Sequence, residues 1–188
     1  GGLQGADDLQ RLLDHALEGR KLTRLINTHS HSDHIGGNAS VRRAHGCRIL
    51  VPEGMAPAVA DWDEDALLLS SAHQQAEPFE FDATIAPGDA LEMGGIAWQA
   101  IHVPGHDMHA LAYYAPNERI LISGDALWQD GFGVMFDYSD RIKPEDIQLK
   151  LGQLLADLPE LAGKDVAVGD GGADGLEGQL EQFLFAYQ

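Results

Sequence analysis

Three histidines and an aspartate, His29, His31, Asp33 and His34, fall within six positions of the stretch TRLINTHSHSDHIGG, residues 23–37. Imidazole and carboxylate are ligands for divalent metals, suited to zinc and, with less specificity, to iron or manganese. Cys47 is the one cysteine of the chain, which excludes a thiolate-rich structural zinc site and leaves the open, catalytic kind. Two residues apart in an extended loop, His29 and His31 can face one ion, while Asp33 and the adjacent His34 point elsewhere. Four ligands arranged that way imply two ions. Nine histidines in the chain will produce some chance neighbours, and His15, His45 and His73, each standing alone, read as structural.

The remaining ligands have to come from distant segments that also end strands. His106 lies in HVPGHDMHA, just after the strand-like IAWQAIHV, with Pro104 and Gly105 shaping the turn. Asp125 lies in LISGDALW, just after ILIS, with Gly124 permitting a close approach. Thr28, Ser30 and His109 are placed by position to fix the imidazoles from behind. His102, on the preceding strand, reads as structural.

Periodicity supplies the elements that must hold these groups. Leu9, Leu12, Leu13, Ala16 and Leu17 recur at helix spacing and predict an amphipathic helix from Asp7 to near Gly19, with Asp7 or Asp8 as its N-cap. RLIN predicts a short strand, with HSHSDH as the loop at its C-terminal end. A helix is expected over 38–45, closed by Gly46, and CRILV is another strand. Residues 53–80 show no clear period beyond a short helix around ALLLSSAHQQA. Strands IAWQAIHVP, HALAYYA and ILISGD follow, with turn signals at PGD, at Gly94 and Gly95, and at PNER. A helix behind Pro144, a strand DVAV and a last helix or strand in LEQFLFAY complete the pattern. Such an order predicts an α/β sandwich with sheet inside and helices outside, as one domain over residues 1–188.

Twelve basic against thirty acidic residues give a net charge of −18, and no Lys/Arg-rich run is present. Nucleic acid and anionic membranes are therefore not expected as partners. There is no apolar run of transmembrane length and no basic-then-apolar leader, although the chain opens on Gly1 and Gly2, which leaves a removed leader open. A single cysteine forms no intramolecular disulfide, so a reducing, cytoplasmic location is expected, with Cys47 as a buried structural thiol.

In this order, THSHSDHIGG, PGH at 104–106 and SGD at 123–125 resemble the metallo-β-lactamase fold superfamily, with the likeness running from about residue 6 to about residue 170. The resemblance implies a four-layer αβ/βα sandwich with a one- or two-metal centre, usually zinc, at one edge of the paired sheets. It implies that His29, His31 and His106 hold one ion, that Asp33 and His34 hold a second, and that Asp125 bridges them, with a hydroxide between the ions as nucleophile. Asp33 is the implied catalytic proton carrier. Family members usually close the second site with a histidine after the last strand; here VAVGDGG puts Asp170 there, a harder ligand. They also begin with several strands before the first helix, so this sandwich is expected to lack the first strands of the N-terminal sheet. That would leave an edge which a second copy of the chain could complete as a homo-oligomer.

The resemblance implies a di-zinc hydrolase, with iron or manganese as alternatives, acting on a small ester, thioester, lactone or lactam. The family's redox-active di-iron branch carries an acidic residue at the position of His31, and its nucleic-acid-processing branch fits neither the charge nor the length. A glyoxalase II-type thioesterase shares THxHxDH and is the alternative activity, although no basic cluster in the C-terminal part offers to hold a glutathione-like anion. A truncated metal-binding module without turnover is the alternative from another class. Trp128 and Phe132, after Asp125, are candidates for the cleft wall or the core. DGGADGLEGQLE also sets Asp170, Asp174, Gly175 and Glu181 in the order of a calcium loop, but Gly172 and Glu177 break that pattern.

Overall fold

Leu9, Leu13 and Leu17 line one face of the first helix, α1 (Gly2–Leu17), and pack with Leu25, Ile49 and Val51 on one side of a sheet. A computed structural model describes residues 2–128, 131–132 and 184–187, with side chains detailed for residues 9–127. After α1 come β1 (Leu22–Ile26), α2 (Ser32–Ile35), α3 (Asn38–His45) and β2 (Arg48–Pro52), then α4 (Ala56–Asp61) and β3 (Ala83–Ile85). The second half adds β4 (Ala90–Met93), β5 (Ile96–His102), β6 (Leu111–Ala115) and β7 (Ile120–Ile122), a short hairpin of β8 (Leu127–Trp128) and β9 (Gly131–Phe132), and β10 (Leu184–Tyr187).

The strands form two four-stranded sheets. In the first the order is β10-β1-β2-β3, with β1, β2 and β3 parallel and β10 antiparallel to β1. Parallel neighbours need crossovers, and α3 supplies the one between β1 and β2. The second sheet, β4-β5-β6-β7, is antiparallel throughout. Its first hairpin turns on Gly94 and Gly95, at φ +61° and +74°, the backbone that a tight two-residue turn demands.

Strand alternation divides the core. Ile49 and Val51 face the helices, whereas Ile26, Leu50 and Ile85 face the second sheet and join Met93, Trp98, Ala100, Leu111 and Tyr113 there. A third cluster, with Val103, Ala112, Tyr114 and Leu121, lies on the other face of the second sheet, so β6 is buried at all five of its positions. Helices, sheet and sheet thus stack as an α/β sandwich. The helix expected behind Pro144, the strand DVAV and the calcium-like loop lie outside the described residues.

Several local expectations are corrected. α1 reaches back to Gly2, so Asp7 and Asp8 lie inside it and do not cap it. HSHSDH is not all loop: Asp33 and His34 ride on the single turn of α2. ALLLSSAHQQA forms consecutive turns, because Leu68 and His73 sit at φ +59° and +53°, which no α-helix accommodates. Helix 38–45 is found as expected, with the Gly46 N–H closing on the Arg42 carbonyl. LEQFLFAY contributes a strand.

Cys47 is 3% exposed, and burial pushes its thiol up. The native protein is therefore expected to be silent towards an aromatic disulfide reagent, and to release one thiol equivalent per chain only in denaturant. Prompt reaction of the native protein would contradict this packing. Among the described residues no helix is long and apolar enough to cross a membrane.

Candidate metal centre

Beyond Ile26 the chain leaves β1 through Asn27, whose buried amide anchors the ligand loop. Asn27 Nδ2 donates to the His34 carbonyl at 3.1 Å and to Asn38 Oδ1 at 3.3 Å, and Asn38 Nδ2 donates back to Asn27 Oδ1 at 2.8 Å. Tyr113 Oη donates to the Asn27 carbonyl at 2.9 Å, and burial pushes its phenol well up, so it remains a donor. These bonds fix the loop against α3 and the second sheet. The loops after β5 and β7 reach the same sheet edge.

Four imidazoles meet there. The His29 ring lies 4.7 Å from that of His31, 3.8 Å from His34 and 5.1 Å from His106, centroid to centroid. Candidate ligand atoms of His29, His31 and His106 all lie within 4.8 Å of one another, and so do those of His29, His34 and Asp125. Asp125 joins the groups: Oδ1 is 3.3 Å from His34 Nε2, and Oδ2 is 3.2 Å from His106 Nε2. Asp33 belongs to neither group. Its side chain is 51% exposed, with Oδ2 3.6 Å from His34 Nε2, at the rim.

The electrostatics suit a cation. Burial, then the neighbouring His34 and His31, hold the His29 pKa well below its ordinary value, and burial and His106 lower that of His31. Both are thus kept neutral, the form that ligates metal. Burial pushes the Asp125 carboxyl up, but the imidazoles of His106 and His34 outweigh it and hold it below the usual carboxylate range. His29 Nε2 and His34 Nδ1 are buried without a hydrogen-bond partner. Orphaned polar atoms cost on the order of 1–3 kcal/mol each, which a divalent ion shared among them would relieve. An all-nitrogen-and-oxygen donor set fits zinc, iron or manganese.

Of the expected supports, Thr28 Oγ1 stands 3.1 Å from His29 Nδ1 and turns Nε2 into the cluster. Ser30 turns away from the cluster, to Asp107. His109 is exposed, with its ring against Gly54, where a side chain would collide with it. His102 is exposed too, and its Nε2 lies 3.0 Å from the Met108 carbonyl, as a structural residue would. Asp170 and the side chains of Trp128 and Phe132 lie outside the described residues. Sequence reasoning missed Asn27, Asn38, Tyr113 and Asp107, since nothing in their spacing announces partners so distant in the chain. Beside the centre, Ser30, Asp107 and His109 form one wall of a cleft of about 410 Å³, with Met55, Pro57, Leu68, Asp61 and Asp63 also lining it.

Gly124 is required where it stands. Its φ is +52°, and a β-carbon there would come within 2.8 Å of Thr28 Oγ1. Gly124→Ala is expected to cost about 1–2 kcal/mol in a urea melt through the backbone alone. It should also weaken zinc retention on dialysis, because Thr28 is pushed off His29. Unaltered stability and zinc retention would show that the contact does not matter.

An α/β sandwich with paired imidazole and carboxylate clusters at its sheet edge defines a metal-binding protein of the two-sheet type. The sequence model of the metallo-beta-lactamase superfamily matches residues 1–174, and the chain belongs to that superfamily. It is similar to the hydroxyacylglutathione hydrolase of Rhodopseudomonas palustris (strain BisB5), 28% identical over 148 residues that make up 79% of this chain and 50% of the relative. The chain thus spans about half the length of that relative. Among solved structures, the BLEG-1 B3 metallo-beta-lactamase superposes with a TM-score of 0.58 at 23% identity, covering 84% of this chain and 85% of that one. TTHA1623 in a di-iron-bound form gives 0.62 at 22% identity, covering 80% and 71%. These likenesses show the fold, and the superfamily is one of metal-dependent hydrolases whose metal is not fixed by the fold.

Proposed function

We propose that the chain is a binuclear, zinc-dependent hydrolase of small esters, thioesters, lactones or lactams. The observation that carries this reading is Asp125, which offers one carboxylate oxygen to His34 and the other to His106, as a ligand shared by two ions would. His29, His31 and His106 would hold the first ion. Asp33 and His34 would hold the second, with Asp170 completing its shell. Two divalent metals supply Lewis-acid polarisation of the acyl oxygen and a nucleophile from water at neutral pH. The chain's own contribution is to fix the imidazoles, to keep them neutral, and to place Asp33 at the rim, where it can take up a proton and return it to the leaving group.

The relatives named hydroxyacylglutathione hydrolase favour a thioester among these substrates. Against a glutathione-like anion stands the cleft, which Asp61, Asp63 and Asp107 line, with no lysine or arginine among the described residues that line it. The proposed partner is a small molecule; the charge of −18 speaks against nucleic acid and anionic membrane, and the single cysteine favours the cytoplasm. Metal analysis after zinc loading and dialysis tests the reading, together with a panel of thioesters, lactones, esters and β-lactams. Two ions with turnover support it. Two ions without turnover leave a metal-binding module, and no ion overturns it.

A further inference from the structure

Asp107 is a buried carboxylate for which the proposed hydrolysis has no use. It directly follows His106 and is 6% exposed. Its Oδ2 accepts from Ser30 Oγ at 2.8 Å and from the Ser30 backbone N–H at 3.3 Å, and its Oδ1 accepts from the His109 N–H at 2.6 Å. All three donors are neutral, and among the described residues no lysine or arginine forms an ion pair with it. A carboxylate removed from water is costly unless positive charge lies near, and the described lysines and arginines supply none there.

Its position says where that charge belongs. Ser30 is the residue between His29 and His31, and Asp107 is bonded to His106, so one carboxylate ties together the two loops that carry all three imidazoles of the first group. That group contains no anion of its own. A divalent ion held by three neutral imidazoles keeps its full double charge, which Asp125 meets from one side only.

We propose that Asp107 is the positioning residue and counter-charge of the His29, His31, His106 site: it locks the two ligand loops together and supplies the negative charge that favours a divalent cation there. The inference rests on reading that group as a metal site. It predicts a site-selective effect, because the hydrogen bonds of Asp107 reach the loops of the first group and not α2, which carries Asp33 and His34.

The test is zinc competition against a chromophoric chelator, with cobalt(II) absorption as a second readout, on the whole chain. The first site is assigned by its loss in His106→Ala. Asp107→Asn keeps the size and part of the hydrogen bonding but loses the charge. It should weaken the first site about 10- to 100-fold, shift its cobalt bands, and leave the second site and the far-ultraviolet circular dichroism unchanged. Ser30→Ala keeps the charge and removes one bond, and should cost the first site less than about tenfold. Wild-type affinity in Asp107→Asn overturns the proposal. So does equal weakening of both sites, or a Ser30→Ala loss as large as that of Asp107→Asn, since either describes a merely structural contact. A wild-type chain that binds no zinc overturns the metal reading itself, and this inference with it.

Discussion

Asp33→Ala is expected to lower hydrolysis of any accepted ester or thioester by about 10²- to 10⁴-fold, the range that a positioned proton-transfer group contributes. The loss should fall on kcat more than on KM, because the proton moves in the transition state. Stability of the metal-free protein should change by no more than about 0.5 kcal/mol, since the side chain is half-exposed and belongs to neither tight ligand group. The same exposure is what the proposed proton-transfer role would need. Kinetics and a denaturant melt on the same preparation check both halves. Unchanged rates would remove Asp33 from the mechanism, and a collapsed fold would show that it is a structural residue.

Metal loading is expected to have the other large effect. A ligand that binds only the native state stabilises it by about 2.7 kcal/mol when free ligand is a hundred times Kd. For a chain of this size that raises Tm by roughly 5 to 10 °C, and a chelator should reverse it. Without metal, pH acts through the histidines. The folded-state pKa values of His29 and His31 are lowered from the ordinary 6.5, so on acidification the unfolded chain takes up protons first. Their neutral forms therefore contribute stability that is present above about pH 6.5 and is lost progressively below it. Differential scanning with zinc, with chelator, and across pH 5–8 separates the two effects. A Tm indifferent to zinc would mean that the cluster holds no ion.

That His29, His31, His34, His106 and Asp125 would come together was legible because the signals are local. Imidazoles at alternate positions, a strand before them and glycines after them all lie within one short stretch, and PGH and SGD repeat the logic at two further strand ends. The 38–45 helix was legible for the same reason, since its period and its closing glycine are both local. α2 was not, because one turn is too short to leave a period. ALLLSSAHQQA misled for a different reason. Leu67 and Leu69 are apolar because they plug the helix-side core at 0% and 1% exposure, and they reach it from turns. Burial accounts for the composition, and positive φ at Leu68 rules out the helix. Asp107 was invisible because its meaning depends on Ser30, far away in the chain and touching it only once the sandwich has closed.

His29 is claimed by both ligand groups, yet an imidazole whose Nδ1 faces Thr28 has a single nitrogen left to give. Two ions bound there would therefore not be held equally. If the first keeps His29, the other would rely on His34, Asp125, the rim carboxylate of Asp33 and the proposed Asp170. In a binuclear centre of the kind proposed, the site of His29, His31 and His106 would be the more firmly held, and the site of His34 would offer the more exchangeable position, suited to polarising an acyl oxygen.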